Sequence, residues 1–223
     1  MKFDLHVHSC YSKDSNASLD DILEHAARNG LDGFAICDHD RIEGGFACSE
    51  RAKELNSDLI VIPGVEVSSS KGHILVLGVR DAIEPGLSPE ETIKRARQQG
   101  ALVIIPHPFK ITSHGIGYIE GLDADAIEVL NSRCVTNGPN NRAREAAGEL
   151  GFPMVGGSDS HEAEMVGRSY TEIDADERTV EAVLDAIRKG KTAPGGGKTP
   201  VSFVVKQMFI GHLNKLGRRL GMR

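Results

Sequence analysis

The sequence predicts an α/β barrel, and three observations carry that expectation. Short apolar runs alternate with helical patterns along the chain, the βαβα signature of a sheet covered by helices. Nearly every apolar run ends in a side chain with metal-ligand chemistry, as strands do when their C-terminal ends converge on one rim. The length, 223 residues, suits one domain with a full hydrophobic core.

Strands are expected near 3–8, 33–37, 59–67, 73–79, 101–106, 126–130 and 153–157, each rich in Val, Ile, Leu or Phe. Ser18 with Asp21 three residues later reads as a helix N-cap with a carboxylate at N3, and that helix ends at Gly30. Ser88-Pro89 with Glu91 opens another, closed by Gly100. Further helices are expected over 46–55, 140–150 (stopped by Gly151) and 179–189 (stopped by Gly190). The barrel thus takes residues 1–190. In residues 191–223, Thr192–Gly197 reads as a linker, and Val201–Leu220 as an amphipathic helix packed on or beside the barrel, with Lys206, Lys215, Arg218 and Arg219 in solvent.

Charge is unevenly spread. The net formal charge is −6, yet residues 191–223 hold seven of the 26 basic residues and no acid, so residues 1–190 carry 19 basic against 32 acidic residues. A barrel of that sign argues against extended nucleic acid as a partner, because nonspecific binding needs Lys and Arg to displace phosphate counterions. Cys10, Cys37, Cys48 and Cys134 form no C-x-x-C pair, and no leader pattern precedes Leu5, so a reduced cytoplasmic setting is expected. No apolar run approaches the roughly 20 residues that span a bilayer.

The chemistry is concentrated in pairs. His6 and His8 stand at i, i+2 at the end of the first strand, and Asp159 and His161 repeat the spacing after the last. Alternate residues of a strand share a face, so each pair projects two donors to one side. Asp38-His39-Asp40, Glu66 and His107 close other runs, and Cys134 follows the run 126–130 shortly after its end. A lone H-x-H is more often an ordinary histidine pair, and Asp14 alone reads as a turn cap. Joint placement at strand ends turns them into candidate ligands. Imidazole and carboxylate donors suit Zn, Mn or Fe, whereas an all-oxygen set would suit Mg or Ca.

His6-Val7-His8-Ser9 with Asp14-Ser15, then Cys37-Asp38-His39-Asp40, Pro63-Gly64-Val65-Glu66, Pro106-His107-Pro108, Asn131-Ser132-Arg133-Cys134 and Gly157-Ser158-Asp159-Ser160-His161 resemble, in order, the motifs of the PHP (polymerase and histidinol phosphatase) family. The resemblance runs from residue 3 to about 173. It implies a distorted (β/α)7 TIM-like barrel, a centre of two or three divalent ions and phosphoester hydrolysis by a metal-bridging hydroxide. It places His6, His8, Glu66 and Asp159 around one ion, Asp14, His39 and His161 around a second, and Glu66, His107 and Cys134 around a third, with Glu66 bridging. Asp159, His161 and Glu66 then form the catalytic set with Arg168. Arg168 and Arg133 are the expected phosphate-holding residues, since a guanidinium fork matches phosphate, and His73 and His114 are further substrate-contact candidates. Glu128, Lys110 and Lys71 are left outside the catalytic set, and His25 and His212 read as structural or solvated.

Four functions follow from these residues. The leading one is hydrolysis of a small phosphomonoester. The same donors would serve a phosphodiesterase or exonuclease acting on nucleoside bisphosphates or short oligonucleotides. Histidinol phosphate is a narrower substrate, disfavoured because Asp14 and Cys134 stand where the resemblance to histidinol phosphatases calls for histidine. The short spacing from Glu66 to His107 also leaves no room for an inserted cap domain. A metal-bearing interaction module with little turnover would more readily lack a ligand, and none is lost here. Nothing in the sequence sets an oligomeric state.

Overall fold

The protein is described here by a computed structural model covering residues 1–203. Its elements run β1 (Lys2–Val7), α1 (Leu19–Arg28), β2 (Gly33–Ile36), α2 (Glu43–Glu54), β3 (Ile60–Ser68), β4 (His73–Leu77), α3 (Pro89–Gln98), β5 (Leu102–Ile105), β6 (Ala126–Asn131), α4 (Gly138–Leu150), β7 (Met154–Gly157), β8 (Ser169–Ile173), α5 (Val180–Arg188) and β9 (Thr192–Gly196). The strands form one sheet in the order β7-β6-β5-β4-β3-β2-β1-β8-β9. A parallel bridge from Val7 to Ser160, reinforced by His8 N–H donating to Ser160 O at 2.9 Å, brings the chain after β7 back to β1 and nearly closes a barrel. The expected TIM-like architecture is therefore present, distorted because β4 runs antiparallel to both β3 and β5.

The local signals act as the sequence implies. Ser18 Oγ accepts from Asp21 N–H at 3.1 Å and Ser88 Oγ from Glu91 N–H at 3.2 Å, each satisfying an otherwise orphaned helix donor. Helix α2 starts three residues earlier than expected, through two glycines of poor helix propensity. Close packing decides this: a Cβ on Gly45 would lie 2.8 Å from Pro63 Cα, and one on Gly44 would collide with the Asp38 carboxylate. Those glycines let α2 lie directly against β3 and the loop after β2.

Alternation partitions the core. Ile62, Leu75, Leu77, Leu102, Ile104 and Ala126 join Val183, Leu184 and Ile187 of α5, which covers the end of the barrel where β5 and β6 begin. Their alternates Ile74, Val76, Val103, Ile105 and Ile127 pack on Ile93 and Ala96 of α3 and on Ala143 and Ala147 of α4. A third cluster sets Val7, Phe34 and Ile36 against Ile22, Leu23 and Ala26 of α1 and Cys48 of α2. Followed two residues at a time toward the other end, the inward rows change from apolar to charged: Ile62 and Gly64 lead to Glu66, and Ala126 leads to Glu128. Both carboxylates are 1% exposed.

Two strands lie outside the seven that the sequence predicts. β8 pairs antiparallel with β1, and β9 pairs antiparallel with β8 from Ser169↔Gly196 to Ile173↔Thr192. The segment Thr192–Gly197, expected to be a linker, is thus mostly an edge strand. Its Pro and glycines mimic a linker, but the edge tolerates proline, and Gly195 lies where a Cβ would come within 2.6 Å of the Tyr170 ring. Of the expected C-terminal helix, residues 201–203 are helical and the remainder, with Lys206, Lys215, Arg218, Arg219 and His212, lies outside the described residues.

Candidate metal centre

Strand alternation and four loops, after β1, β2, β5 and β7, bring the donors to one place. His6 and His8, both 0% exposed, end β1 with Nε2 atoms 3.2 Å apart. Two imidazole nitrogens facing each other across that distance cannot both donate, and they converge on the carboxylates beside them. Glu66 Oε2 lies 3.5 Å from His6 Nε2 and 3.3 Å from His8 Nε2, and Asp159 Oδ1 lies 3.8 and 3.5 Å from the same atoms. Asp14 Oδ2 sits 3.3 Å from His39 Nε2 and 3.1 Å from His161 Nε2, with His8 completing that group. Glu66 Oε1 reaches His73 Nδ1 at 2.8 Å and His107 Nε2 at 3.1 Å. Glu66 therefore stands at the middle, one oxygen turned to each side.

Each grouping puts at least three donor atoms within 4.8 Å of one another: His8, Asp14, His39 and His161; His6, His8 and Asp159; His6, Glu66 and His107; and His39, Glu66 and His73. The chemistry fits divalent ions of the Zn, Mn or Fe kind, for which mixed nitrogen and carboxylate sets are apt. The ring nitrogens His8 Nδ1, His39 Nδ1 and His107 Nδ1 are buried without a hydrogen-bond partner, although His39 Nδ1 lies 3.2 Å from Glu66 Oε2, near in distance but without hydrogen-bond alignment. A cluster this dense in unpaired nitrogen is costly unless a cation draws on it.

Electrostatics follow from crowding. Burial alone would push His6 and His8 down, but neighbouring carboxylates outweigh it: Glu128, Glu66 and Asp159 raise His6 well above its ordinary value, and Asp159 and Glu66 raise His8 to about 9. Burial would raise Glu66 and Asp159, yet both are held well below the usual carboxylate range, Glu66 by His73, His39 and His6, and Asp159 by Arg133, Lys110 and His6. Burial also opposes Asp14, which His161 and His39 pull down. His161 is depressed to about 3, first by burial and then by Arg133 and His8, and so stays a neutral lone-pair donor. The backbone is strained at the same spot, since His107 (φ +31) and Asp159 (φ +54) adopt the left-handed region.

Not every expected residue reaches the centre. His73 does, in contact with Glu66. Arg133 does: its Nη1 lies 3.1 Å from Asp159 Oδ1 and 3.0 Å from His161 Nδ1, and its Nε is buried without an acceptor. His114 is exposed at the rim, its ring stacked on His73 at 5.2 Å. Arg168 is a correction. The chain turns at Gly167 into β8, whose buried positions go to Ser169 and Thr171, so the Arg168 side chain is exposed and its Nε donates to Lys198 O at 2.7 Å. Among the described residues no hydrogen bond carries its guanidinium to the donors. Cys134, expected beside Glu66 and His107, belongs to none of the donor groups, and burial pushes its thiol up to about 11. His73 stands at Glu66 in its place.

Three buried residues outside the expected set adjoin the donors. Glu128 Oε1 bonds His6 Nδ1 at 3.0 Å. Lys110, 7% exposed, donates to Asp159 Oδ2 and Asn131 Oδ1, both at 3.2 Å. Asn131 Nδ2 in turn donates to Glu128 Oε2 at 3.0 Å and Asp159 Oδ2 at 3.2 Å. For Glu128 the sequence offers only its place two residues along from Ala126 in an apolar run, which marks an inward-facing position but not its partners. Nothing local marks Lys110.

Fold and site together define a barrel with a histidine and carboxylate metal centre on one rim. The PHP domain family matches residues 4–96, and the PHP-associated family matches residues 137–192. An uncharacterized protein of Methanocaldococcus jannaschii is 36% identical over 143 residues, spanning 59% of this chain and 82% of that one. The chain belongs to the PHP family of metal-dependent phosphoesterases. Its fold is similar to that of a two-domain Bacteroides vulgatus protein containing a predicted PHP-like metal-dependent phosphoesterase (TM-score 0.72, 21% identity, 88% of this chain and 65% of that chain). It is also similar to the lesion-specific endonuclease PfuEndoQ of Pyrococcus furiosus (TM-score 0.63, 18% identity, 86% and 57%).

Proposed function

We propose that this protein hydrolyses a small phosphomonoester at up to three divalent ions held by His6, His8, Asp14, His39, Glu66, His73, His107, Asp159 and His161. The observation that carries the reading is Glu66, whose Oε2 faces His6, His8 and His39 while Oε1 faces His73 and His107, so joining the donors into one centre. Divalent ions held there would lower the pKa of water and neutralise phosphate and leaving-group oxygens. The chain's own contribution is placement. Arg133 sits against Asp159 and His161 with Nε unspent, poised to bind a phosphate oxygen. His161, depressed to about 3, is neutral at neutral pH and so has a lone pair to offer. The burial of His6, His8 and Glu66 excludes bulk water and strengthens each interaction.

Cleavage of a phosphodiester is the second reading, favoured by the likeness to an endonuclease fold. The acidic balance of residues 1–190 supports the compact substrate instead.

Phosphate release by the Mn- or Zn-reconstituted protein separates them, assayed on histidinol phosphate, nucleoside monophosphates, nucleoside 3′,5′-bisphosphate and a 5′-phosphorylated oligonucleotide. Turnover of a monoester, lost by about two orders of magnitude or more in Asp159→Ala, is the expected outcome. Shortening of the oligonucleotide without monoester turnover would transfer the assignment to a diesterase.

A further inference from the structure

Glu128 lies among the metal donors but is turned away from them. It is 1% exposed, and each of its two oxygens has a hydrogen-bond partner. Oε1 faces His6 Nδ1 at 3.0 Å. Oε2 accepts from the backbone N–H of His107 at 2.9 Å and from Asn131 Nδ2 at 3.0 Å. Asn131 is itself pinned, its backbone N–H and C=O bonded to the Asn140 side chain at 3.2 and 3.1 Å. The space Glu128 occupies is kept open by Gly157, where a Cβ would lie 2.7 Å from Oε1 and 2.6 Å from His6 Cβ.

Two consequences follow for groups on different strands. An imidazole whose Nδ1 proton goes to a carboxylate presents Nε2 as a lone pair, and His6 Nε2 is the atom directed at His8, Glu66 and Asp159. The bond to Oε2 is made by the backbone N–H of His107 at φ +31, a region that non-glycine residues seldom occupy. In that conformation His107 Nε2 meets Glu66 Oε1 at 3.1 Å.

We propose that Glu128 is a positioning residue of the metal centre, fixing His6 as the tautomer with Nε2 free and holding the His107 backbone so that its ring meets Glu66. The proposal rests on the reading of these clusters as metal ligands and deepens it. A carboxylate behind a ligating histidine changes metal affinity through tautomer and ring orientation, by 10- to 100-fold as an order of magnitude.

The test is Zn(II) affinity and stoichiometry by competition with a chromophoric chelator for the wild type and Glu128→Gln, with thermal melting of both metal-free proteins alongside. Glu128→Gln keeps the volume but must turn an NH2 either toward His6 or toward two other donors. The expected result is a folded variant with Zn(II) binding weakened about 10- to 100-fold. Equal affinity within threefold in a folded variant overturns the proposal. ¹⁵N-histidine NMR of the Zn-loaded wild type decides the matter even if the variant does not fold: a proton on His6 Nδ1 is expected, and a proton on Nε2 overturns it. A wild type that binds no Zn(II) at all would defeat the metal-ligand reading itself, and this proposal with it.

Discussion

His8 shows how a single residue couples the centre to pH. Its neighbours Asp159 and Glu66 outweigh burial and raise it to about 9, so without metal the ring carries a proton at neutral pH. A metal ion needs the neutral ring and must displace that proton. Apparent Zn(II) affinity is therefore expected to rise with pH between about 6 and 9 and to level off above the His8 value, with protons released on binding. Calorimetric titration in two buffers of different ionisation enthalpy measures that release. Equal apparent enthalpies in the two buffers would show that no proton leaves and that His8 is neutral beforehand. His161 behaves oppositely: already depressed to about 3, it has no proton to give up in this range.

At the scale of elements, β9 and α2 owe their places to glycines that admit close approach. β9 lies against the Tyr170 ring of β8 at Gly195, with no room for a side chain. Gly195→Leu is expected to force strand and ring apart and to destabilise the fold by about 1–3 kcal/mol, the usual cost of overpacking. Urea denaturation would show it as a lower midpoint at unchanged slope. Because Thr199 N–H donates to Ser132 O at 2.8 Å, β9 also leads the chain back to the loop that carries Arg133. Loosening that edge is an indirect route to the site.

Across the whole molecule, the barrel gathers ligands from β1, the loops after β1, β2, β5 and β7, and strands β3 and β4. An ion bound there ties distant segments of chain together and binds the folded state preferentially, so it adds to stability by mass action. Chelation with EDTA is expected to lower the melting temperature by roughly 5–10 °C per tightly held site, taking about 2.7 kcal/mol at a hundredfold excess over Kd and the slope usual for a chain of this size. An unchanged melting temperature after metal removal, confirmed by elemental analysis, would show that the donors hold no ion in the protein as isolated. Among the described residues no helix is long and apolar enough to cross a membrane.

The sequence by itself determined the helices, seven of the strands and eight of the nine donors, all but His73. Caps at Ser18 and Ser88, stops at Gly30, Gly100, Gly151 and Gly190, and seven of the nine strands are local signals, written in side-chain capping, backbone freedom and alternation. The pair His6 and His8 was legible for the same reason, because strand geometry makes neighbours of alternate residues, whereas Asp159 and His161 lie beyond β7, with Asp159 at φ +54, and join different donor groups. What only the tertiary structure decided are the contacts between residues far apart in the chain. Glu128 stands 122 positions from His6 and Lys110 stands 49 from Asp159. No local pattern distinguishes a buried charge with partners across a barrel from one in solvent. The same limit explains Arg168, whose residue type suited the site but whose side chain turns to Lys198 O, Cys134, which is buried but joins none of the donor groups, and His73, which an antiparallel β4 delivers to Glu66 through the pairing Ser68↔His73. Local physics chooses the elements; closure of the barrel chooses which donors meet.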